Sequence, residues 1–338
     1  MTLIKMMTTV AAVGILTAGA ASAQTLDAVK ERGSVQCGVT TGLAGFAAPN
    51  DVGEWQGFDV DFCRAMAAAV FGDPDMVNYT PTTAKERFTA LQSGEIDLLA
   101  RNTTWTFSRD VNLGFEFVGI NYYDGQGFMV RTDLGVDSAL DLDGASVCIQ
   151  TGTTTELNLA DYFRTNGMSF EPVTVDTDSQ AREAYEAGRC DVYTTDASGL
   201  AAQRSAVSDP SAHKILPEII SKEPLGPLVR HGDNQWGDVA RWVLNAMITA
   251  EELGVTSENA SEMMESENPE IRRLLGAEGE LGAMLGLSND FAYNVVTMVG
   301  NYAEVYERNI GVDTPLGLER GLNALWNDGG VLYSPPFR

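Results

Sequence analysis

Leu91-Gln-Ser-Gly-Glu-Ile-Asp-Leu98 and Tyr185-Glu-Ala-Gly-Arg-Cys-Asp-Val192 are one pattern written twice, 94 residues apart. In each, a helical stretch closes at a glycine, Gly94 or Gly188, and an aspartate, Asp97 or Asp191, opens a β-rich run. The runs end in polar residues, Arg101-Asn-Thr-Thr104 in one and Thr194-Thr-Asp196 in the other. A helix–glycine–strand unit is common in α/β proteins, so one match alone is modest evidence. Its recurrence at the matching position of two halves predicts two lobes built alike. Both copies also put polar side chains at the carboxyl ends of strands, where open α/β sheets hold ligands.

Ahead of the first copy, Ser34 to Thr40 reads as a strand ended by the glycine-containing stretch Thr41 to Pro49. A helix follows Gly57, with Asp59 as its expected N-cap and Phe62, Ala65, Met66, Ala69 and Val70 on one face. Gly72-Asp-Pro74 stops it, Val77 to Thr80 reads as the next strand, and Thr83-Ala-Lys-Glu86 is a capping box for a helix carrying Phe88 and Leu91. Ile96 to Ala100 then completes strand–helix–strand–helix–strand, the order of a parallel sheet with right-handed crossovers. Turn-rich crossings lie at Asn121 to Gly127 and at Lys222 to Pro227, and after Arg230 the chain turns helical from Trp236 to about Trp326. The expected organisation is α/β and discontinuous: residues 24–124 build the first lobe, 125–224 the second, and 225–338 return to the first and extend it with helices.

Residues 1–23 read as a signal peptide, with Lys5 before the apolar run Val10 to Ala20 and Ala21-Ser-Ala23 as the cleavage site before Gln24. That run is well short of the roughly 20 residues a membrane helix needs. The competing reading is a transmembrane anchor. Cleavage leaves 315 residues, enough for two cores, and moves the net charge from −25 to −26, since Lys5 is the only charge lost. So acidic a chain does not bind nucleic acid or anionic lipid through its overall field. Four cysteines in an exported chain allow three pairings. Cys37 lies in a strand and Cys63 on the following helix, while Cys148 and Cys190 share the later lobe, which favours Cys37–Cys63 and Cys148–Cys190. The alternative is four reduced buried thiols. No C-x-x-C is present to make them catalytic.

Arg109 in one half and Asp196 in the other offer opposite charges at polar strand ends, which suits a zwitterion such as a free amino acid, with its ammonium, carboxylate and variable side chain. Arg109, beyond the polar run that starts at Arg101, is the candidate clamp for the carboxylate, against the plain reading of a solvated arginine. Gln150-Thr-Gly-Thr-Thr-Thr-Glu156 joins a strand to a helix start; Gly152 permits close approach, and Thr153 and Thr154 offer hydroxyl and N–H donors. Thr153 to Glu156 also reads as a plain capping box. Asp196 is the candidate ammonium partner, or else a cap for a helix from Ser198. Asn102, Thr104 and Arg101 add hydrogen-bonding groups, and Phe46, Trp55 and Trp105 are candidate aromatic walls that could equally be core.

Gly57-Phe-Asp-Val-Asp61, the loop ending in Arg109, Gly152-Thr-Thr-Thr155 and Asp196 together resemble the polar amino-acid family of periplasmic binding proteins. Asn102 to Thr106, Asn121 to Met129, Ile219 to Gly226, Arg320 to Trp326 and the Pro335-Pro336 ending are similar to its broad-specificity members in bacterial ABC uptake systems. The resemblance spans essentially the whole mature chain. It implies a type II two-lobed periplasmic-binding-protein fold, each lobe a mainly parallel sheet flanked by helices, and a monomer that closes on a free L-amino acid and docks on an inner-membrane ABC permease. It further implies that Arg109 binds the α-carboxylate with Thr104, Thr153 and Thr154, and that Asp196 binds the α-ammonium. Relatives carry serines where this chain has Arg101 and Asn102, so Arg101 is the expected source of tolerance for acidic or amide side chains. No cofactor or metal is implied.

An enzyme is the main competing class. Only His213 and His231 are present, with no H-E-x-x-H, G-x-S-x-G or P-loop lysine motif, so a hydrolase triad or zinc site has little to draw on. Some dehydratases share the binding-protein fold, and Asp196 or Glu156 could serve such chemistry. A ligand-sensing partner of a chemoreceptor is a third reading on the same fold.

Overall fold

Val35–Thr40 is the second strand of a five-stranded sheet in the computed structural model, which describes residues 25–338. The expected signal peptide, 1–23, lies outside those residues. The sheet runs Val77–Thr82, Val35–Thr40, Leu98–Leu99, Leu228–Arg230, Phe115–Phe117. Its first three strands are parallel, and Leu228–Arg230 is antiparallel to both neighbours. A second sheet repeats the plan with Phe170–Val175, Ala145–Gln150, Val192–Asp196, Gln126–Arg131 and His213–Ile215. Again the first three are parallel and the fourth is antiparallel to both neighbours.

The repeated sequence unit is repeated in its bonds. Asp97 donates its N–H to the Gln36 carbonyl and accepts the Gln36 N–H on its carboxylate, both at 2.8 Å. Asp191 does the same with Ser146, at 2.9 and 3.2 Å. Each aspartate thereby closes the start of its strand onto the neighbouring one, which is why the pattern recurs in both halves.

The helix after Gly57 runs Phe58–Phe71 and ends at Gly72 in the left-handed conformation (φ 66°). Its N-cap is Gly57 (φ 131°) rather than the expected Asp59. A Cβ at Gly57 would stand 2.3 Å from the Phe46 carbonyl oxygen, so the tight packing there demands glycine. Asp59, the second residue of the helix, is left free for a longer-range bond. Thr83 and Glu86 exchange the two bonds of the expected capping box, each at 3.3 Å, ahead of the helix Arg87–Ser93.

Two strands cross between the sheets, Tyr122–Asp124 outward and Glu223–Leu225 in return, paired antiparallel from Tyr122↔Leu225 to Asp124↔Glu223. First-lobe segments grip this ribbon on both sides. Thr104 bridges to Leu225, and the Trp105 N–H donates to the Pro224 carbonyl at 2.8 Å. On the other edge the Asn323 side chain accepts the Tyr123 N–H at 2.7 Å and donates to the Tyr123 carbonyl at 3.2 Å. Tyr302 adds a hydroxyl bond to the Asn121 carbonyl at 2.7 Å.

The C-terminal helices are not a separate body. Asn234–Glu252, Phe291–Met298 and Tyr302–Asn309 bury Trp236, Val243, Phe291, Val295 and Tyr306 in one apolar core with Val39, Phe62 and Met66 of the first lobe. Each such fully buried side chain contributes about 1.5–3 kcal/mol. The second lobe has smaller cores on the two faces of its sheet, around Phe128 and Phe163 and around Tyr185 and Tyr193. Disulfides join Cys37 to Cys63 and Cys148 to Cys190, one per lobe. Among the described residues no helix is long and apolar enough to cross a membrane.

Candidate ligand-binding site between the lobes

On the first-lobe side the chain leaves Leu98–Leu99 and delivers arginines into the interior. Arg109 lies on a single π-helical turn, Ser108–Asn112, and is 7% exposed. Its Nη1 donates to the Thr104 carbonyl at 2.8 Å and its guanidinium sits 5.3 Å from the centre of the Phe88 ring. Burial pushes its pKa down to about 10, against the opposing pull of Glu223 and Asp196. Arg101 donates Nε to the Thr82 carbonyl at 3.1 Å, while its Nη2 is buried with no partner among the described residues. Arg87, which the sequence pattern does not single out, donates Nη1 to Thr103 at 3.2 Å and leaves Nε buried and unpaired. Burial, then Arg101 and Arg109, hold the Arg87 pKa well below the usual arginine value.

Asn102 bends this segment with φ 36°, the only left-handed non-glycine among the described residues. The carboxylate of Asp59 holds it there by accepting the Asn102 N–H at 3.0 Å. Burial pushes the Asp59 pKa up to about 7, opposed by that bond and by Arg101. The Asn102 Oδ1 is buried without a partner.

On the second-lobe side the helix Thr154–Thr165 starts at N-cap Thr153, but the expected capping box is absent. The Thr153 hydroxyl bonds the Gln150 carbonyl at 2.7 Å, and the Glu156 carboxylate takes the Gly152 N–H at 3.2 Å. The first-turn N–H groups, which have no partner inside the helix, therefore receive no cap from Thr153. Gly152 (φ 77°) lies against the first lobe: a Cβ there would stand 3.0 Å from Lys85 Cγ.

Asp196 occupies the N-cap position of Ala197–Ala206 without capping it. Ser198 gives its N–H and hydroxyl to Asp124 instead, so the Asp196 carboxylate stays available. Burial raises the Asp196 pKa well above the usual carboxylate range, with Asp124 and Glu223 adding to the rise and Arg109 opposing it. Asp178, 7% exposed, is likewise raised by burial and drawn down by Arg101 and Arg87 of the first lobe. Gln126 donates to the Thr155 carbonyl at 3.1 Å and to Thr194 at 2.9 Å, and its Oε1 is buried and unpaired.

The two sides meet. Thr104 and Thr154 approach to 3.3 Å between hydroxyls, and both donate to one oxygen of Glu223. Each hydroxyl has a single hydrogen, so towards any third group these threonines offer lone pairs. The aromatic candidates separate. Trp105 stacks on Phe117 at 5.3 Å, is 37% exposed, and donates its indole N–H to Asp110 at 2.7 Å. Phe46 is buried in the first-lobe core against Phe58 and Tyr122, and Trp55 is half-buried beside Tyr79. Sequence reading missed Arg87, Asp178, Gln126 and Glu223. For Asp178 a signal existed in the Thr177–Gln180 capping box, which fixes the helix start that carries it.

The sequence profile described as bacterial extracellular solute-binding proteins, family 3, matches residues 35–260. The chain belongs to that family. The general L-amino acid-binding periplasmic protein AapJ of Rhizobium johnstonii is 62% identical to it over 330 residues, 97% of each chain. The glutamate/glutamine/aspartate/asparagine-binding protein BztA of Rhodobacter capsulatus is 58% identical over 328 residues, again 97% of each. A solved ABC transporter periplasmic binding protein from Brucella ovis, with glutathione bound, superimposes with a TM-score of 0.92 at 59% identity, covering 94% of this chain and all of its own. The family 3 profile ends at residue 260, so it takes in the helix Asn234–Glu252, while Phe291–Met298 and Tyr302–Asn309, which pack into the same first-lobe core of this solute-binding protein, lie beyond it.

Proposed function

We propose that this family 3 protein is the receptor of an ABC uptake system, capturing free L-amino acids between its lobes and handing them to membrane permease subunits. One observation carries the reading: Arg109 from one lobe and Asp196 from the other, both buried, lie within electrostatic reach of each other across the lobes. Arg109 and the first-turn N–H groups of Thr154–Thr165 suit the α-carboxylate. Asp196, with lone pairs of Thr104 and Thr154, suits the α-ammonium. Neither lobe holds both charges, so ligand stabilises the closed arrangement through contacts that only closure completes. Hinge closure around a ligand is the general behaviour of periplasmic binding proteins, and the crossings at 121–127 and 222–227 are the hinge.

Breadth of specificity rests on the side-chain end. Arg101 and Arg87 face Asp178 there, so an acidic or amide side chain meets donors and an acceptor. The ligands for which the relatives are named, general L-amino acids in one and glutamate, glutamine, aspartate and asparagine in another, support that range. Export by residues 1–23 and a monomeric, non-catalytic protein in the periplasm complete the proposal. A calorimetric screen of stripped protein against the twenty amino acids and glutathione tests it. Stoichiometric binding of several L-amino acids is expected; absence of binding, or steady turnover of a cyclohexadienyl acid, defeats it.

A further inference from the structure

Glu223 lies on the return crossing and is 1% exposed. Its Oε2 accepts the Thr104 hydroxyl of the first lobe at 2.6 Å and the Thr154 hydroxyl of the second at 2.8 Å. Its Oε1 accepts Nδ2 of Asn158, also second lobe, and the hydroxyl of neighbouring Ser221, each at 2.6 Å. A carboxylate has about four acceptor sites, and here four protein donors fill them. A group so fully bonded is a junction within the protein, unlike Asp196, whose carboxylate makes no bond to the helix it precedes.

The junction has a fixed side and a releasing side. Thr104 is bound through its backbone bridge to Leu225, and Trp105 and Gly226 continue that pairing with bonds of 2.8 and 3.0 Å. Glu223 and Thr104 therefore move as one piece. Thr154 and Asn158 sit on the second-lobe helix, so parting the lobes must break their two bonds to Glu223. That would leave a buried carboxylate short of two charge-assisted donors. Resting on the reading of the cleft as the ligand site, we propose that Glu223 is a positioning residue for capture: a clasp, shared by all ligands, that favours the closed arrangement by holding Thr154 and Asn158.

A clasp of this kind shifts the population of the binding-competent state and scales every affinity alike. The test uses Asn158→Ala, Glu223→Gln and the double variant in the full mature chain. Calorimetry would follow glutamate, glutamine and alanine, with small-angle scattering of ligand-stripped protein alongside. Asn158→Ala is expected to weaken all three ligands by one common factor of about tenfold, to leave their ranking unchanged, and to raise the radius of gyration. In the Glu223→Gln background the same change should cost much less, because the partner is already altered. A purely structural role would lower melting temperature without moving the ligand-free radius. The proposal is overturned by a changed ranking, by affinities within twofold of the parent, by full additivity, or by an unmoved radius. If the parent binds no amino acid, the receptor reading fails, while scattering of the parent against Glu223→Gln still decides the clasp.

Discussion

The two lobes share a sheet order and differ in what they bring to the cleft. The first supplies guanidinium groups, Arg87, Arg101 and Arg109, and the second supplies carboxylates, Asp178 and Asp196. A common scaffold thus carries opposite charges to the same kind of place, the carboxyl ends of its parallel strands. The lobes differ in support as well. The first is backed by the long C-terminal helices in one large core, with a smaller one around Leu91 and Phe117, whereas the second has two small cores; each lobe carries one disulfide.

The sharpest way to break the comparison is to remove one charge from each side. Arg109→Ala should weaken every L-amino acid by roughly 30- to 5,000-fold, the range for removing one partner of a buried charge pair. Asp196→Asn should have a similar effect. By calorimetry, Arg109→Ala should close the gap between an amino acid and its α-amide, and Asp196→Asn the gap between an amino acid and its desamino analogue. The reverse pattern would exchange the roles assigned to the lobes.

Next in size is pH. Burial raises the Asp196 pKa despite the opposing pull of Arg109, and the carboxyl must be ionised to hold an ammonium, so binding releases a proton while pH lies below that raised value. Affinity should therefore fall with falling pH, by up to about tenfold per unit, and Asp196→Asn should flatten the profile. A parent affinity that is flat from pH 8 to pH 5 would remove Asp196 from the ammonium.

The smallest effect concerns the side-chain end. Arg101→Ala should lower the affinity for glutamate relative to alanine by about tenfold, read as a changed ranking with alanine nearly unaffected. A uniform loss would mean that Arg101 acts on the shape of the loop.

Much of this was legible because it is local. The Asp97 and Asp191 units announce two similar sheets, the cysteines fall one pair to a lobe, and Arg109 and Asp196 end conspicuous polar runs. What escaped depends on distance. Arg87 follows Lys85 and Glu86, so locally it reads as part of a charged helix start, and only its position beneath Arg101 and Asp178 makes it interior. Glu223 sits between Lys222 and Pro224 and reads as a turn residue, yet its four donors come from positions as far away as Thr104. Phe46 and Trp55 failed to separate from Trp105 in the sequence for the same reason. Asp59 looked like a cap because the spacing allowed it, and the close contact of Gly57 with Phe46 moved the helix start.

The grip of the first lobe on the crossing ribbon has a mechanical consequence. With Thr104 and Trp105 along one edge and the Asn323 amide serving as a borrowed strand along the other, the ribbon is a stiff extension of that lobe. Within the proposed hinge, that stiffness would confine bending to the far end of the crossings, at Gly125 and the Ser221–Lys222 turn, where a Cβ on Gly125 would strike Ile219 at 2.2 Å. Hydrogen exchange should find the amides of residues 122 and 123 slow and those just beyond Gly125 sensitive to ligand; slow exchange on both sides would move the axle elsewhere. The second lobe is then the jaw, and the first, weighted by its C-terminal helices, is the anvil it closes on.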